Sequence, residues 1–173
     1  STPKPSSAAS DVYKRQERMN KKEEVLEGFA EVFNKRAWLD KVKMEKALAG
    51  YAASEVHCIE FIGKHKDPNV TKMAESMYMT RGAISKLTKK MLKKQYIESY
   101  QKADNKKEIY FKLTAEGKKV FEIHEQLHKE FENRDQVVFE PIKDEQYDAF
   151  LNFLERYNQH LDQEIKKQNL TIK

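Results

Sequence analysis

The chain has 173 residues, 39% hydrophobic and 35% charged, with a net charge of +5. That length suits one domain with helical extensions, and so much charge suits long helices that expose their surface or bury it in a dimer. No apolar run approaches the ~18 residues of a membrane span, and the single cysteine, Cys58, excludes an internal disulfide, so the cytoplasm is the expected compartment.

Residues 1–18 lack the apolar segment of a secretory signal, Met19 reads as a plausible start, and the run 7–16 reads as foreign to the fold. This tail is expected to be disordered. Residues 21–39 then form a helix with Val25, Leu26, Phe29, Phe33 and Ala37 along an apolar edge, which with a linker makes up a first dimerisation segment over 19–50. Ser54 is the expected cap of a helix carrying Val56, Ile59 and Ile62, which ends near Gly63 ahead of Asp67-Pro68.

Residues 69–117 carry the most information. Asn69 is a natural N-cap for a two-turn helix over 70–76, Met77-Tyr78-Met79 turns, and Thr80 caps a second helix over 81–94. In that second helix Ile84, Leu87, Met91 and Leu92 make one buried stripe, which leaves Arg81, Ser85, Lys86, Lys89 and Lys93 on the opposite face. An apolar back with such a front suits the major groove of double-stranded DNA. Segments 96–100 and 108–113, rich in β-branched and aromatic residues, read as a hairpin. The polar stretch between them, with Lys102, Asn105, Lys106 and Lys107, reads as a loop over a phosphate backbone. From Met79 to Lys107 nine basic and two acidic residues leave +7, more than the net charge of the entire chain. Such a contrast is the footprint of nucleic-acid binding.

Residues 115–138 continue as a helix with Val120, Ile123, Leu127 and Phe131 at helical spacing, and Pro141 breaks it. Asp144 is the expected cap of a last helix with Tyr147, Phe150, Leu151, Leu154, Leu161 and Ile165 on one side. The helices at the two ends, 19–50 and 118–173, carry more apolar surface than the 51–117 domain can cover. A two-fold homodimer covers it, and also spaces two reading helices ~34 Å apart, as a palindromic operator requires.

Thr80 to Thr88 and Leu113-Thr114-Ala115-Glu116-Gly117 resemble the recognition helix and the wing exit of the MarR family of bacterial winged-helix transcription regulators, and the likeness runs over residues 20–167. It implies a mainly α fold with a small β-hairpin wing, flanked by long dimerisation helices. The family's wing usually carries an Asp-x-Arg pair, and the aligned positions here are Asn105 and Lys107.

His124-Glu125-Gln126-Leu127-His128 has the His-Glu-x-x-His spacing by which two imidazoles one helical turn apart share a metal while the glutamate activates water. The further glycine and histidine that complete the commonest such peptidases are absent from the turns that follow. Among MarR-like proteins the chain is also similar to zinc-sensing regulators of zinc uptake, whose paired histidines align with His124 and His128 and whose third aligns with His57. Their carboxylate ligand aligns with Leu39, so Asp40, or else Glu45, is the expected fourth ligand of a Zn(II) site. Three readings stay open: one zinc ion, ordinary hydrogen bonding on a helix flank, or an organic effector in the same cleft.

Together these residues point to a homodimeric, sequence-specific DNA-binding regulator, a repressor answering to a metal or small molecule. Thr80, Arg81, Ser85 and Lys86 are the candidates nearest the bases, and Lys89, Lys93, Lys102, Asn105, Lys106 and Lys107 those nearest the phosphates. The rivals are a zinc-dependent metallopeptidase and a winged-helix adaptor that binds only protein.

Overall fold

The computed structural model describes residues 7–171 of the backbone and the side chains of 11–168. Its elements are α1 (Ser7–Ala47), α2 (Ala53–Lys64), α3 (Val70–Ser76), α4 (Arg81–Lys93), β1 (Ile97–Lys102), β2 (Asn105–Leu113), α5 (Ala115–Phe139) and α6 (Asp144–Thr171). The fold is therefore mainly helical with one antiparallel hairpin. It divides into two compact units, residues 1–128 and 129–173.

Residues 7–18 correct the expectation of a disordered tail, because they are the opening turns of α1. No proline or glycine interrupts 7–27, the residues are mostly good helix formers, and Glu17 pairs with Lys21 one turn on. Residues 1–6 lie outside the described part. At 41 residues α1 is ~60 Å long, well beyond the expected 21–39. It ends in a turn where Gly50, at φ +91°, takes the left-handed conformation that reverses the chain into α2.

The core of the first unit is built by the faces that the helical spacing marks. Ile59 and Cys58 from α2, Met73 from α3, and Ile84 and Met91 from α4 are all fully buried, and Ile97, Phe111 and Val120 close the cluster from the wing and α5. Leu48, with Met44 and Tyr51, brings the end of α1 onto the same core. Asn69 and Thr80 cap α3 and α4 as expected, accepting from Lys72 N–H at 2.9 Å and Ala83 N–H at 3.2 Å. Ser54 is not the cap of α2. The helix starts one residue earlier, and the Glu55 carboxylate reaches back to accept from Ala52 N–H at 3.1 Å. Asp144 is likewise the first helical residue of α6 rather than its cap, and the Gln146 side chain accepts from Lys143 N–H at 3.0 Å.

The wing is tighter than the sequence suggests. Residues 101–107 were expected as a loop, but Lys102 pairs with Asn105, so only Ala103 and Asp104 turn, next to a bulge between Tyr100 and Lys102. The hairpin is sewn to the helices by Phe111 N–H donating to the Pro68 carbonyl at 3.0 Å and by a bridge between Asn69 and Tyr110. At its exit Thr114 N–H donates to the Tyr96 carbonyl and Gly117 N–H to Thr114 Oγ1. A Cβ on Gly117 would collide with that Tyr96 carbonyl, so the wing-to-α5 corner admits no larger residue without backbone movement.

Exposed apolar side chains concentrate on the end helices. On α1 these include Val25, Leu26, Val32, Phe33, Trp38, Leu39 and Val42. In the second unit they are Val137, Val138 and Phe139 at the end of α5, and Phe150, Leu151, Phe153, Tyr157 and Leu161 on α6.

Glu55 has the least ordinary environment in the first unit. Its carboxylate is wholly buried and receives Lys94 Nζ at 2.8 and 3.1 Å and Lys90 Nζ at 3.0 Å, joining the start of α2 to the last turn of α4. Burial by itself pushes its carboxyl up, but the bonds from Lys94, Lys90 and Ala52 N–H outweigh it and hold the group below the usual 4.5. A carboxyl lowered on folding stabilises the fold fully above its unfolded value, and the gain is lost as pH falls through the folded one. Glu55→Ala should therefore cost about 1–3 kcal/mol in denaturant melts at neutral pH. The gap from the native chain should shrink on acidification from about 4.5 downward.

Candidate nucleic-acid interface and histidine cluster

Helix α4 presents the expected face. Ile84, Leu87, Thr88 and Met91 are buried behind it, while Arg81, Lys86, Lys89 and Lys93 are exposed and Ser85 is half-buried. Thr80 Oγ1 is occupied in capping the helix, which limits what else it can contact. The nine cations between Met79 and Lys107 are not equivalent. Lys90 and Lys94 are held by Glu55. Lys102, a candidate phosphate contact, pairs with Asp67 at 2.5 Å, and Tyr100 OH donates to the other carboxylate oxygen at 2.9 Å. The Lys102 ammonium and the Tyr100 hydroxyl keep the Asp67 carboxyl below its ordinary range. Among the described residues, Arg81, Lys86, Lys89, Lys93, Lys106 and Lys107 enter no ion pair, and they form the uncompensated positive surface. At the wing tip Asn105 Oδ1 accepts from Lys107 N–H at 3.2 Å, so this pair is joined through the backbone and not as an ion pair.

The histidines come together within the first unit, and one partner is not the one expected. His124 and His128 on α5 place their Nε2 atoms 3.1 Å apart, and the third group beside them is Glu60 of α2, 3.9 Å from His124 Nε2. The expected carboxylates are engaged elsewhere: Asp40 lies 3.6 Å from Arg36 and Glu45 lies 3.5 Å from Lys41, each along α1. His57 is exposed one helical turn before Glu60, with its ring centroid 6.4 Å from that of His124. The sequence signal for Glu60 was its place three residues after His57 on one helix face.

His124 is 3% exposed, and its Nδ1 is buried with no hydrogen-bond partner among the described residues. Burial is the main cause that lowers its pKa below 6.5, with the neighbouring imidazoles adding to it against the pull of Glu60. The ring is therefore neutral at pH 7, the form that ligates a metal. Burial pushes the Glu60 carboxyl up, yet the Lys64 hydrogen bond and the imidazoles bring it below its ordinary value, so it is charged. Two imidazoles and one carboxylate, with donor atoms all within 4.8 Å of one another, fit zinc. Ligands ~2.0–2.1 Å from a tetrahedral ion stand about 3.3 Å apart, close to the spacing of the two Nε2 atoms. Glu125, the residue that would activate water in a peptidase, is instead ion-paired with Lys64 at 2.8 Å.

A cleft of about 450 Å³ opens beside the cluster, with His57, Glu60, Phe61, Lys64 and His65 of α2 and its end on one wall and Ser76, Met77 and Met79 of the helix-turn-helix on the other. Cys58 faces away into the core, and burial, then the charge of Glu55, pushes its thiol up to about 12. It is an unreactive packing residue.

Residues 52–109 match the sequence profile of the MarR family. The HTH-type transcriptional regulator PchR of Bacillus subtilis strain 168 is 37% identical over 111 residues, 64% of this chain and 66% of that one. The chain thus spans just under two thirds of PchR, and about half of two further curated relatives. Among solved structures, Streptococcus pneumoniae FabT in complex with DNA has a TM-score of 0.68 at 19% identity, covering 82% of this chain and 97% of that one. Staphylococcus aureus MarR in complex with salicylate and kanamycin has a TM-score of 0.63 at 17% identity, covering 83% and 93%. At such identities the likeness is one of fold.

The division of the cations yields a test by salt titration of duplex binding. Lys106→Ala or Lys107→Ala should each flatten the slope of log affinity against log salt by about one. Lys102→Ala should leave that slope nearly unchanged, since Asp67 already compensates its charge.

Proposed function

This chain belongs to the MarR family, and from that we propose that it is a sequence-specific regulator of transcription. It binds a palindromic site on double-stranded DNA as a cytoplasmic homodimer and represses until an effector binds. The observation that carries this reading is α4, an apolar-backed helix whose exposed front is Arg81, Lys86, Lys89 and Lys93, next to a hairpin tipped by Lys106 and Lys107. The exposed apolar stripes of α1 and α6 are the surfaces a second copy covers. No described helix is long and apolar enough to cross a membrane. Family membership sets the peptidase alternative aside, and the ion pair that occupies Glu125 agrees with that. A pure protein adaptor has no use for six uncompensated cations around one helix and wing.

Arg81 stands at the end of α4 that enters the groove, where an arginine pairs best with guanine. Arg81→Ala should cost about 1–3 kcal/mol at a selected high-affinity site and much less on random duplex. An unchanged ratio of the two affinities in a binding titration would remove Arg81 from the reading face.

For the effector, His124, His128 and Glu60 would hold a Zn(II) ion with His57 alongside. Bound there, zinc would supply a cross-link between α2 of the reading head and α5. The residues' own part is to offer two imidazoles and one charged carboxylate from two helices. The cleft between α2 and the Met77–Met79 turn is the place for an organic effector instead. Calorimetry with zinc should give sub-micromolar binding that His128→Ala or Glu60→Gln weakens at least tenfold. Because the pKa of His124 is held below 6.5, this imidazole should keep its affinity for the ion through that pH and lose it only on further acidification. Binding indifferent to both substitutions would return the histidines to ordinary packing.

A further inference from the structure

Between α3 and α4 the chain makes a turn that has the long closing bond of a Schellman motif. Met77 N–H still donates to the Met73 carbonyl at 2.9 Å as in the helix, and Met79 N–H reaches back to the Ala74 carbonyl at 3.0 Å. The residue between them occupies the left-handed position that such a motif reserves for glycine or asparagine, and here it is Tyr78, at φ +52°. Its neighbours Met77 and Met79 pack against the core, whereas the Tyr78 side chain is 74% exposed. The fold therefore bears a backbone strained by the Cβ of this residue and gains almost no buried surface from the ring it carries. A local outlier of this kind points to a contact made outside the fold.

The position says which contact. Tyr78 lies two residues before the Thr80 cap of α4 and three before Arg81, at the end of the helix that enters the groove. Phosphate oxygens beside a groove commonly accept from tyrosine hydroxyls, which fix orientation without reading sequence. We infer that Tyr78 is a DNA-positioning residue whose phenol hydroxyl donates to a backbone phosphate at the entry of α4, so that the turn and the wing grip the duplex on either side of the reading helix. This rests on the DNA-binding function proposed above.

The test uses the full-length chain and a random-sequence duplex of about two helical turns, followed by fluorescence anisotropy across a salt series, because a phosphate contact needs no operator. Tyr78→Phe keeps the ring and loses the hydroxyl; it should bind about tenfold more weakly, with the salt slope unchanged because no cation is lost. Tyr78→Gly should bind at least as weakly as Tyr78→Phe, while its melting temperature stays level with the native chain or rises, since glycine relieves the left-handed backbone. Equal binding by native and Tyr78→Phe chains overturns the inference and leaves the DNA-binding function standing. A clear fall in the melting temperature of Tyr78→Gly also overturns it, because the ring would then be a support of the fold. Failure of the native chain to bind any duplex overturns both.

Discussion

A carboxylate sealed inside the first unit ties the start of α2 to the finish of α4. Glu55 accepts from a backbone N–H of its own helix and from two lysines of the other, so it terminates one helix and orients the second with the same two oxygens. The apolar cluster of Ile59, Met73, Ile84 and Met91 supplies adhesion between these helices, but adhesion has little directionality. A buried ion set with fixed geometry is intolerant of slippage, because moving α4 by even one residue would strand a charge without water. The orientation of α4 depends on that intolerance, and the wing and cleft take their positions from it.

That dependence changes what positive charge means in this chain. A count along the sequence treats nine cations as one patch, yet three of them serve internal carboxylates: Lys90 and Lys94 serve Glu55, and Lys102 serves Asp67. Those three hold the reading surface in shape, and the other six face outward from it. Asp67 also receives the Tyr100 hydroxyl, so the loop before α3 is fastened to the wing by the same kind of bond that fastens α2 to α4.

What could be read from the sequence and what could not divide along physical lines. Asn69 and Thr80 were legible as caps because a cap is a bond between residues three apart. The stripe of Ile84, Leu87 and Met91 was legible because burial follows the helical period. His124 and His128 were legible as a pair for the same reason of spacing. Glu60 carried only the weak signal of its i, i+3 spacing from His57, since it meets His124 and His128 across a long separation in the chain, and the carboxylates nearer the aligned position point along α1 instead. Glu55 hid for a similar reason: an acidic residue at a helix start looks like a surface residue satisfying the helix dipole, and only packing reveals that it is buried. The tail misled because its proline-rich beginning was extended to cover residues whose own helix propensity is good. The wing hid its length because polar composition does not separate a loop from strand: lysine and asparagine line the edges of a short hairpin equally well.

The placement of Trp38 has a further use. It is the sole tryptophan of the chain, it stands on α1, and 71% of it is exposed. Indole emission shifts with the polarity of its surroundings, so the intrinsic fluorescence of this protein is in effect a spectrometer mounted on one helix. It is blind to the core of the first unit, where isoleucine, methionine and phenylalanine do the packing, and sensitive to whatever comes to lie along α1. Any optical titration that moves the indole band is reporting on that helix and its neighbours, which makes the chain's own chromophore a label for the exposed apolar side chains of α1 and leaves α4 and the wing to be followed by other means.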